Sequence, residues 1–327
     1  MEATAAGAIA AFLESAGLGR PVRMEALSGG VSSDIWRAEL PSRTVCVKRA
    51  LPRLRVAQVW EAPVERNRYE RQWLQAARAA VPSAAPEVLA WDDTAGLFAM
   101  AYLDLPAWKK LLAEGRADVA FAAKVGANLA AIHAATADDR IVAGRFPTDA
   151  IFHAIRLEPY LLATSKKHGE WARKLEALAE RTASTKRCLV HGDVSPKNIL
   201  VSPGGPIFLD AECAWYGDPA FDLAFCLNHM FLKSVWVPTA RERFMACFDA
   251  LYKTYLGGVT WEAPKAVEER TATLLPGLLL ARVDGKSPVE YLDSSQQARV
   301  RAVAIELLRQ GSGSLEKLKD AWQRSST

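Results

Sequence analysis

An acid, an amide and a second acid, spaced between short apolar runs, constrain this chain more than any other feature. Asp193 follows the apolar residues Cys188–Val190, Asn198 comes five positions later, and Asp210 ends a second apolar run. A phosphoryl-transfer site needs a carboxylate that orients the acceptor hydroxyl, and oxygen ligands that hold magnesium against the nucleotide phosphates. The ordered set therefore predicts Asp193 as the catalytic residue and Asn198 and Asp210 as metal ligands. Each residue alone would also fit a turn or a cap.

Composition narrows the class of protein less sharply. The chain has 327 residues, of which 50% are hydrophobic and 24% charged, as in ordinary globular enzymes. A net charge of +4 is too small to indicate nucleic-acid binding. The five cysteines lie in apolar runs without a C-x-x-C pair, which favours buried thiols over disulfides or zinc. With no long uncharged apolar stretch and no basic leader, we predict a cytoplasmic protein without a membrane partner.

Hydrophobic periodicity changes from strands to helices a third of the way along the chain. Five short alternating runs predict strands before that point, together with one helix over 65–80 and an ordered loop over 51–64. Helical spacing dominates afterwards, and it predicts one helix over 118–135 and another over 296–323, with a flexible-looking spot at residues 311–314.

This order of elements predicts an α+β, two-lobed fold. We expect a small antiparallel β N-lobe over residues 1–103 and a larger, mainly α C-lobe over residues 104–327. A nucleotide cleft would lie between the two lobes.

Two patches in the β region are suited to phosphates. The small residues Gly29, Gly30 and Ser32 precede a strand, and small residues let backbone N–H groups approach phosphates closely. Lys48 lies on a largely apolar strand, with Cys46 on the same face. Each patch alone also has an ordinary explanation, as a turn or as an exposed edge lysine.

The pattern HGDxxxxN, followed by an apolar strand and Asp, resembles the aminoglycoside phosphotransferase and choline kinase superfamily, which has a protein-kinase-like fold. The resemblance implies ATP and Mg²⁺ as cofactors and a small-molecule hydroxyl as phosphate acceptor. The stretches VKRALPRLRV, ERNRYERQWL and DAECAWYG are similar to 5-methylthioribose kinases, which points to a sugar such as a thioribose-like compound. The C-terminal third of the chain does not share this likeness.

The resemblance also implies roles for individual residues. Lys48 would bind the α- and β-phosphates and pair with Glu70, with Glu65 as the second choice. A loop, a lysine–glutamate pair and an adenine-binding hinge would together hold the nucleotide, at Gly29, Gly30, Ser32, Lys48, Glu70, Met100, Ala101 and Leu103. His191 and Asp222 would support the catalytic loop rather than react.

Departures from the protein-kinase pattern favour a small acceptor. Ser195 stands where protein kinases carry a catalytic lysine, and Ala211 and Glu212 replace Phe-Gly after Asp210. The segment from Asp210 to Asp222 leaves little room for a peptide-binding loop.

Four residues are possible acceptor ligands. Glu212 could contact metal or acceptor, and Trp215 and Tyr216 could stack on a sugar or simply pack. Arg282, just past an apolar helix, could bind the acceptor or be a solvated cap. Basic residues slightly outnumber acidic ones over 231–327, which favours a neutral or anionic alcohol over a polycationic antibiotic.

Other functions stay open at this point. A nucleotide-binding regulatory module would bind ATP without transferring phosphate, and an aminoglycoside antibiotic kinase would share the chemistry. A metal-dependent hydrolase could use His191, Asp193, Asp210 and Glu212, and it would cleave phosphoesters without ATP. The sequence leaves the oligomeric state and the choice between ATP and GTP open.

Overall fold

A five-stranded antiparallel sheet forms the first part of the molecule. The computed structural model describes residues 2–27, 33–51 and 63–325. The sheet order is β1-β2-β3-β5-β4, with α1 (Glu2–Ser15) before it and α2 (Arg66–Ala80) between β3 and β4. The strands are β1 (Arg23–Ala26), β2 (Ser33–Glu39), β3 (Thr44–Ala50), β4 (Val88–Asp92) and β5 (Leu97–Ala101).

Helices and short strands form the rest of the described chain. The helices are α3 (Trp108–Ala113), α4 (Val119–Thr136), α5 (Arg140–Arg145), α6 (Asp149–Phe152), α7 (Ala163–Lys167), α8 (Ala172–Ser184), α9 (Pro219–Trp236), α10 (Arg241–Gly257), α11 (Pro264–Asp284), α12 (Ser294–Gln310) and α13 (Leu315–Ser325). Two antiparallel strand pairs join β6 (Cys188–Val190) to β9 (Trp215–Gly217), and β7 (Ile199–Ser202) to β8 (Gly205–Phe208). The predicted α+β class is confirmed, while the lobe boundary between residues 103 and 104 stays a prediction.

The interior position of β3 explains why a lysine can be buried on it. Val45 and Val47 pack in a cluster with α1, whereas Cys46 packs on the opposite face in the cluster that contains Trp73 of α2. Lys48 shares the Cys46 face and is 2% exposed. The alternative that Lys48 is an exposed edge residue is therefore wrong, because β2 and β5 flank β3 on both sides.

The helical region departs from the sequence-based expectation in two places. The helix predicted over 296–323 is two helices, because Gly311 ends α12 in the left-handed conformation, with a φ of 64°. A ten-residue π-helical segment, His153–Leu162, was not predicted and joins α6 to α7. Pro159 lies inside this segment, and a proline cannot donate the regular helical hydrogen bond. The loop predicted over 51–64 falls mostly outside the described residues.

The helix α4 meets α10 at very short range. A Cβ at Gly126 would lie 2.2 Å from the carbonyl oxygen of Leu251. By length and composition α4 is the one described helix that could cross a membrane, and half of that stretch is buried in the protein. Core helices of this length and apolarity also pass that test, and α4 packs here as a core helix. All five cysteines are buried and unpaired, as predicted.

Replacing Gly126 with alanine should destabilise the protein. The new methyl group meets backbone, which cannot rotate away, and such overpacking costs about 1–3 kcal/mol, or more when the clash is severe. The gain in helix propensity of ~1 kcal/mol offsets only part of this. We expect a lower thermal midpoint by circular dichroism. Gly144→Ala is the matched control, since no atom lies within 4 Å of the added Cβ in α5; an equal loss there would contradict the explanation.

Candidate active site

The loop after β6 is anchored by one buried carboxylate, that of Asp222. Asp222 of α9 accepts hydrogen bonds from the N–H groups of His191 at 2.7 Å and Gly192 at 2.8 Å. His133 contacts the same carboxylate at 3.3 Å through Nε2, and its Nδ1 lies 2.8 Å from the Tyr255 hydroxyl. All of these side chains are buried. The supporting role inferred for Asp222 from the sequence therefore has a direct geometric counterpart.

Glycine and histidine in this loop are fixed by their surroundings. Gly192 has a φ of 80°, and a Cβ there would lie 2.6 Å from the Cys213 carbonyl oxygen. The His191 Nδ1 accepts from the Asp193 N–H at 3.1 Å, so its Nε2–H donates to the Leu209 carbonyl at 3.0 Å. Burial lowers the pKa of His191, despite the nearby carboxylate of Asp222. His191 is a neutral support, which favours the packing role over reaction.

Two cations contact the same oxygen of Asp193 and keep its carboxylate ionised. Its Oδ2 lies 3.0 Å from Nη2 of Arg156 and 3.4 Å from Nζ of Lys197. Burial alone would raise the pKa of Asp193, but Lys197 and Arg156 outweigh it and hold the pKa well below its usual range. Among the described residues, none donates a hydrogen bond to the other oxygen, Oδ1.

Sequence reasoning missed Arg156. It lies in the π-helical segment, is 7% exposed, and also donates through Nε to the Gly192 carbonyl. A single arginine among apolar residues in HAIRLEPYLL was the available signal. The local sequence does not indicate which distant carboxylate this arginine contacts.

Lys48 joins two carboxylates from distant parts of the chain. Its Nζ lies 2.7 Å from Oε1 of Glu70 and 2.7 Å from Oδ1 of Asp210. Burial would lower the pKa of Lys48, but Asp210 and Glu70 outweigh it and raise that pKa. The pairing expected of Lys48 and Glu70 is present, and Glu65, the second choice, lies on the exposed surface.

The two proposed metal ligands, Asp210 and Asn198, line the same cavity as this lysine. Asp210 has a φ of 65°, an uncommon conformation for a residue other than glycine that tends to occur at functional sites. The Asn198 side-chain nitrogen donates to the Asp193 carbonyl at 3.1 Å, which leaves its amide oxygen for another partner. Across residues 2–27, 33–51 and 63–325, no three His, Cys, Asp or Glu side chains form a protein-only metal cluster. One carboxylate and one amide suit magnesium, which keeps water and phosphate ligands.

One cavity of about 360 Å³ brings together the nucleotide-side residues. At the hinge, the Ala101 N–H donates to the Glu87 carbonyl at 2.8 Å, and the Leu103 carbonyl accepts from the Leu105 N–H at 3.0 Å. The Leu103 N–H donates to no acceptor in the described part of the chain. Gly29, Gly30 and Ser32 lie outside the described residues. The lining combines apolar and charged side chains: Leu27, Ile35, Cys46, Lys48, Glu70, Met100, Ala101, Tyr102, Leu103, Lys197, Asn198, Leu200, Leu209 and Asp210.

A second cavity, of about 140 Å³, opens on the other side of Lys197 and contains Asp193. Lys197 lines both cavities, so the two spaces adjoin at the loop that contains Asp193. Arg282 lines this second cavity, and its role as an acceptor ligand stays a prediction. The full lining is Lys109, Tyr160, Asp193, Ser195, Pro196, Lys197, Phe225, His229, Lys233, Arg282, Ser287, Pro288, Glu290 and Tyr291.

The structure does not bring the other three suggested acceptor ligands to either cavity. Trp215 is 1% exposed and stacks on Phe152 with ring centres 4.0 Å apart. The Tyr216 hydroxyl donates to the Arg187 carbonyl at 3.0 Å. These contacts favour packing, the alternative left open from the sequence. Glu212 accepts from Nε of Arg66 at 3.0 Å, at the start of α2.

Comparison with known proteins places the chain among phosphotransferases. The model of the phosphotransferase enzyme family matches residues 23–263. Methylthioribose kinase 1 of Oryza sativa subsp. japonica is 26% identical over 225 residues, and methylthioribose kinase 2 is 25% identical over 221. Each match covers 58% of this chain and 51% of the relative, so the chain spans about half the length of the curated relatives it matches.

Solved structures share the fold over nearly the whole chain. An amicoumacin kinase, solved with AMP-PNP and Ca²⁺, superposes with a TM-score of 0.56 at 16% identity, covering 96% of this chain and 97% of its own. A choline/ethanolamine kinase family protein from Mesorhizobium loti also gives 0.56 at 16% identity, covering 99% of both chains. The protein-kinase-like fold expected from the sequence is confirmed.

Proposed function

The chain belongs to the phosphotransferase enzyme family, and we propose that it is a kinase that moves the γ-phosphoryl group of ATP to a hydroxyl of a small molecule. One observation carries the proposal. Lys48, Glu70, Asn198 and Asp210 line one cavity, and Asp193 lines the cavity that adjoins it. A nucleotide in the first space and an alcohol in the second would meet at the catalytic loop.

The oxygen-bearing side chains that share a cavity with Lys48 fit a magnesium–nucleotide complex. Asp210 and the side-chain oxygen of Asn198 would hold Mg²⁺, while Lys48 would contact the phosphates and Glu70 would keep that lysine in place. The bound cation would neutralise charge on the phosphates during transfer. The amicoumacin kinase with AMP-PNP and Ca²⁺ supports a divalent cation, and the choice of Mg²⁺ rests on the donor set.

In the proposed transfer step, Asp193 orients the acceptor hydroxyl and receives its proton. The acceptor oxygen forms a bond to the γ-phosphorus as the bond from that phosphorus to the β–γ bridging oxygen breaks, and ADP leaves with the electron pair. The hydroxyl proton passes to Asp193 and then to solvent. Because the pKa of Asp193 is low, its contribution lies in orienting the hydroxyl, and proton transfer comes late, as the new bond forms.

We propose a small, sugar-like alcohol as the acceptor. The methylthioribose kinases are named for a sugar substrate and match this chain at about a quarter identity. A cavity of about 140 Å³ suits a small molecule, since a cavity of about 150 Å³ in another protein holds benzene.

An ADP-release screen with Mg²⁺–ATP tests the proposed function. The panel should contain sugars, sugar acids, nucleoside fragments, amino alcohols and aminoglycosides, each compared with the rate without acceptor. We expect ADP release with at least one small alcohol, with phosphorus NMR confirming the phosphate ester. Tight ATP binding with no acceptor-dependent ADP release in any class would instead indicate a regulatory module.

Arg156 should act as a positioning residue for Asp193. Arg156→Leu removes the contact to Oδ2, so kcat should fall by about 10- to 100-fold while the KM for ATP changes little. Arg156→Lys, which keeps the charge, should recover part of kcat. A purely structural role would instead lower thermal stability and leave kcat per folded molecule unchanged in both variants.

A further inference from the structure

The cavity beside Asp193 contains several buried polar atoms that have no hydrogen-bond partner in the described part of the chain. A buried polar atom without a partner costs roughly 1–3 kcal/mol, so native proteins rarely gather several in one place. A polar ligand that fills the cavity would satisfy them. The atoms belong to residues of the catalytic loop, α9, α11 and the segment after α11: Ser195 Oγ, both ring nitrogens of His229, Lys233 Nζ, Arg282 Nε and Tyr291 Oη.

Two of the four cations in this cavity are already compensated. Lys109 forms an ion pair with Glu290, and Lys197 lies 3.4 Å from Asp193. Each of these two cations therefore already has a carboxylate partner within the protein.

The other two cations have no carboxylate partner among the described residues. Lys233 is 1% exposed, and its Nζ lies 3.5 Å from the ring centre of Tyr291 and 4.0 Å from that of Trp236. Arg282 donates to the Tyr160 hydroxyl at 3.2 Å and to the Ser287 hydroxyl at 3.2 Å, both neutral. Lys233 is buried and Arg282 is half-buried, and a cation removed from water without a counter-charge is costly unless a ligand supplies one.

We propose that the acceptor is a small hydroxy acid, whose carboxylate lies between Lys233 and Arg282 while a hydroxyl faces Asp193. This deepens the proposed function and rests on it. An arginine and an ammonium group are the partners that carboxylates find in proteins. The same two cations would repel an amino alcohol or an aminoglycoside. His229, Ser195 and Tyr291 would take the remaining hydroxyl groups.

Because Lys233 can lose its charge near neutral pH, binding of a carboxylate should depend on pH. Burial first, and then the charges of Lys109 and Arg282, lower its pKa to about 7, against the opposing effect of Glu290. The tyrosine and histidine that also face it, Tyr291 and His229, are neutral at this pH. Lys233 is charged below pH 7, so the affinity for a carboxylate should fall as pH rises through 7. A bound anion raises that pKa, so binding at pH 7.5 should take up protons.

Matched acceptors test the proposal directly. The pairs are D-gluconate with D-glucitol and glycerate with glycerol, with D-glucosamine as the cation and ribose 5-phosphate as the phosphate arm. We expect kcat/KM for the better acid to exceed that of its neutral partner by at least about 100-fold. A similar preference for ribose 5-phosphate alone would assign the anion site to a phosphate and overturn the hydroxy-acid assignment.

Two variants test whether Lys233 and Arg282 bind the carboxylate. Lys233→Met and Arg282→Met should each lower kcat/KM for the acid by about 10- to 100-fold, mainly through KM, and Lys233→Met should lose the change near pH 7. Lys286→Met removes a neighbouring lysine that pairs with Glu158 outside the cavity and should keep the acid preference. Proton uptake on gluconate binding, measured by calorimetry in two buffers, gives a readout independent of turnover.

Different results would contradict the hydroxy-acid acceptor and the kinase activity itself. Phosphorylation of neutral or cationic alcohols as fast as their acids, with no effect of Lys233→Met, would overturn the hydroxy-acid acceptor and leave the kinase standing. No ADP release with any alcohol would overturn the proposed function. Because Lys233→Met replaces an uncompensated buried charge by an apolar chain of similar length, we expect the variant to fold; Arg282→Lys provides a second test that keeps the charge.

Discussion

Asp193→Asn should lower kcat by about 10²- to 10⁴-fold, the range that a positioned proton acceptor contributes. The amide cannot take the hydroxyl proton, and it no longer balances Arg156 and Lys197. ATP affinity should change by less than about threefold, because Asp193 lines the acceptor-side cavity and not the nucleotide-side one. Quenched-flow measurement of phosphate transfer and calorimetric titration with ATP give the two quantities.

The control for this variant is Asp320→Asn, an exposed carboxylate on α13 far along the chain. It should leave both turnover and ATP affinity unchanged. If Asp193→Asn turned over at the wild-type rate, Asp193 would not be the residue that orients the acceptor, and the role of the second cavity would need to be reassigned.

Asp210→Asn should damage binding of the metal–nucleotide complex itself. Loss of a direct carboxylate ligand should weaken Mg²⁺–ATP by at least about 10- to 100-fold. ATP without metal should bind as well as before or better, because a negative charge next to the phosphates is gone. Lys48 keeps its second partner, Glu70, so the site should stay folded.

Titration of ATP with and without Mg²⁺ distinguishes this prediction from the first. In Asp193→Asn the metal dependence of binding persists while transfer is lost, whereas in Asp210→Asn the metal dependence itself disappears. An unchanged response to Mg²⁺ in Asp210→Asn would place the cation elsewhere.

The site residues that could be predicted from the sequence are those that lie in a recognisable order along the chain. Asp193 and Asp210 follow the short strands β6 and β8, and Asn198 directly precedes β7. Lys48 lies on an apolar strand before a helix that carries Glu70. These patterns are local, and the known order of such elements in one family fixed their roles. The nucleotide-side cavity was therefore predictable before the structure, apart from the loop at Gly29, Gly30 and Ser32.

The acceptor side could not be predicted in the same way. Its polar atoms come from α9, α11 and the segment that follows, and each one alone looks like an ordinary helix residue. Lys233 lies in an apolar helix, where a lysine usually extends to solvent; only the packing of Trp236 and Tyr291 shows that it does not. Arg282 was suggested from its position after an apolar helix, while Trp215 and Tyr216 were suggested from their nearness in sequence to Asp210, which is not nearness to the cavity.

The carboxylate of Asp222 has a consequence for how the molecule can move. The backbone just before Asp193, at His191 and Gly192, is bound to α9, and through His133 and Tyr255 to α4 and α10, entirely by buried groups. Backbone bound in this way has the stability of the core, and the amides of His191 and Gly192 should exchange with solvent only when the helices themselves unfold. The turnover cycle therefore cannot rely on local melting of this loop, and any opening that admits or releases a substrate has to be carried by parts of the chain that Asp222 does not hold.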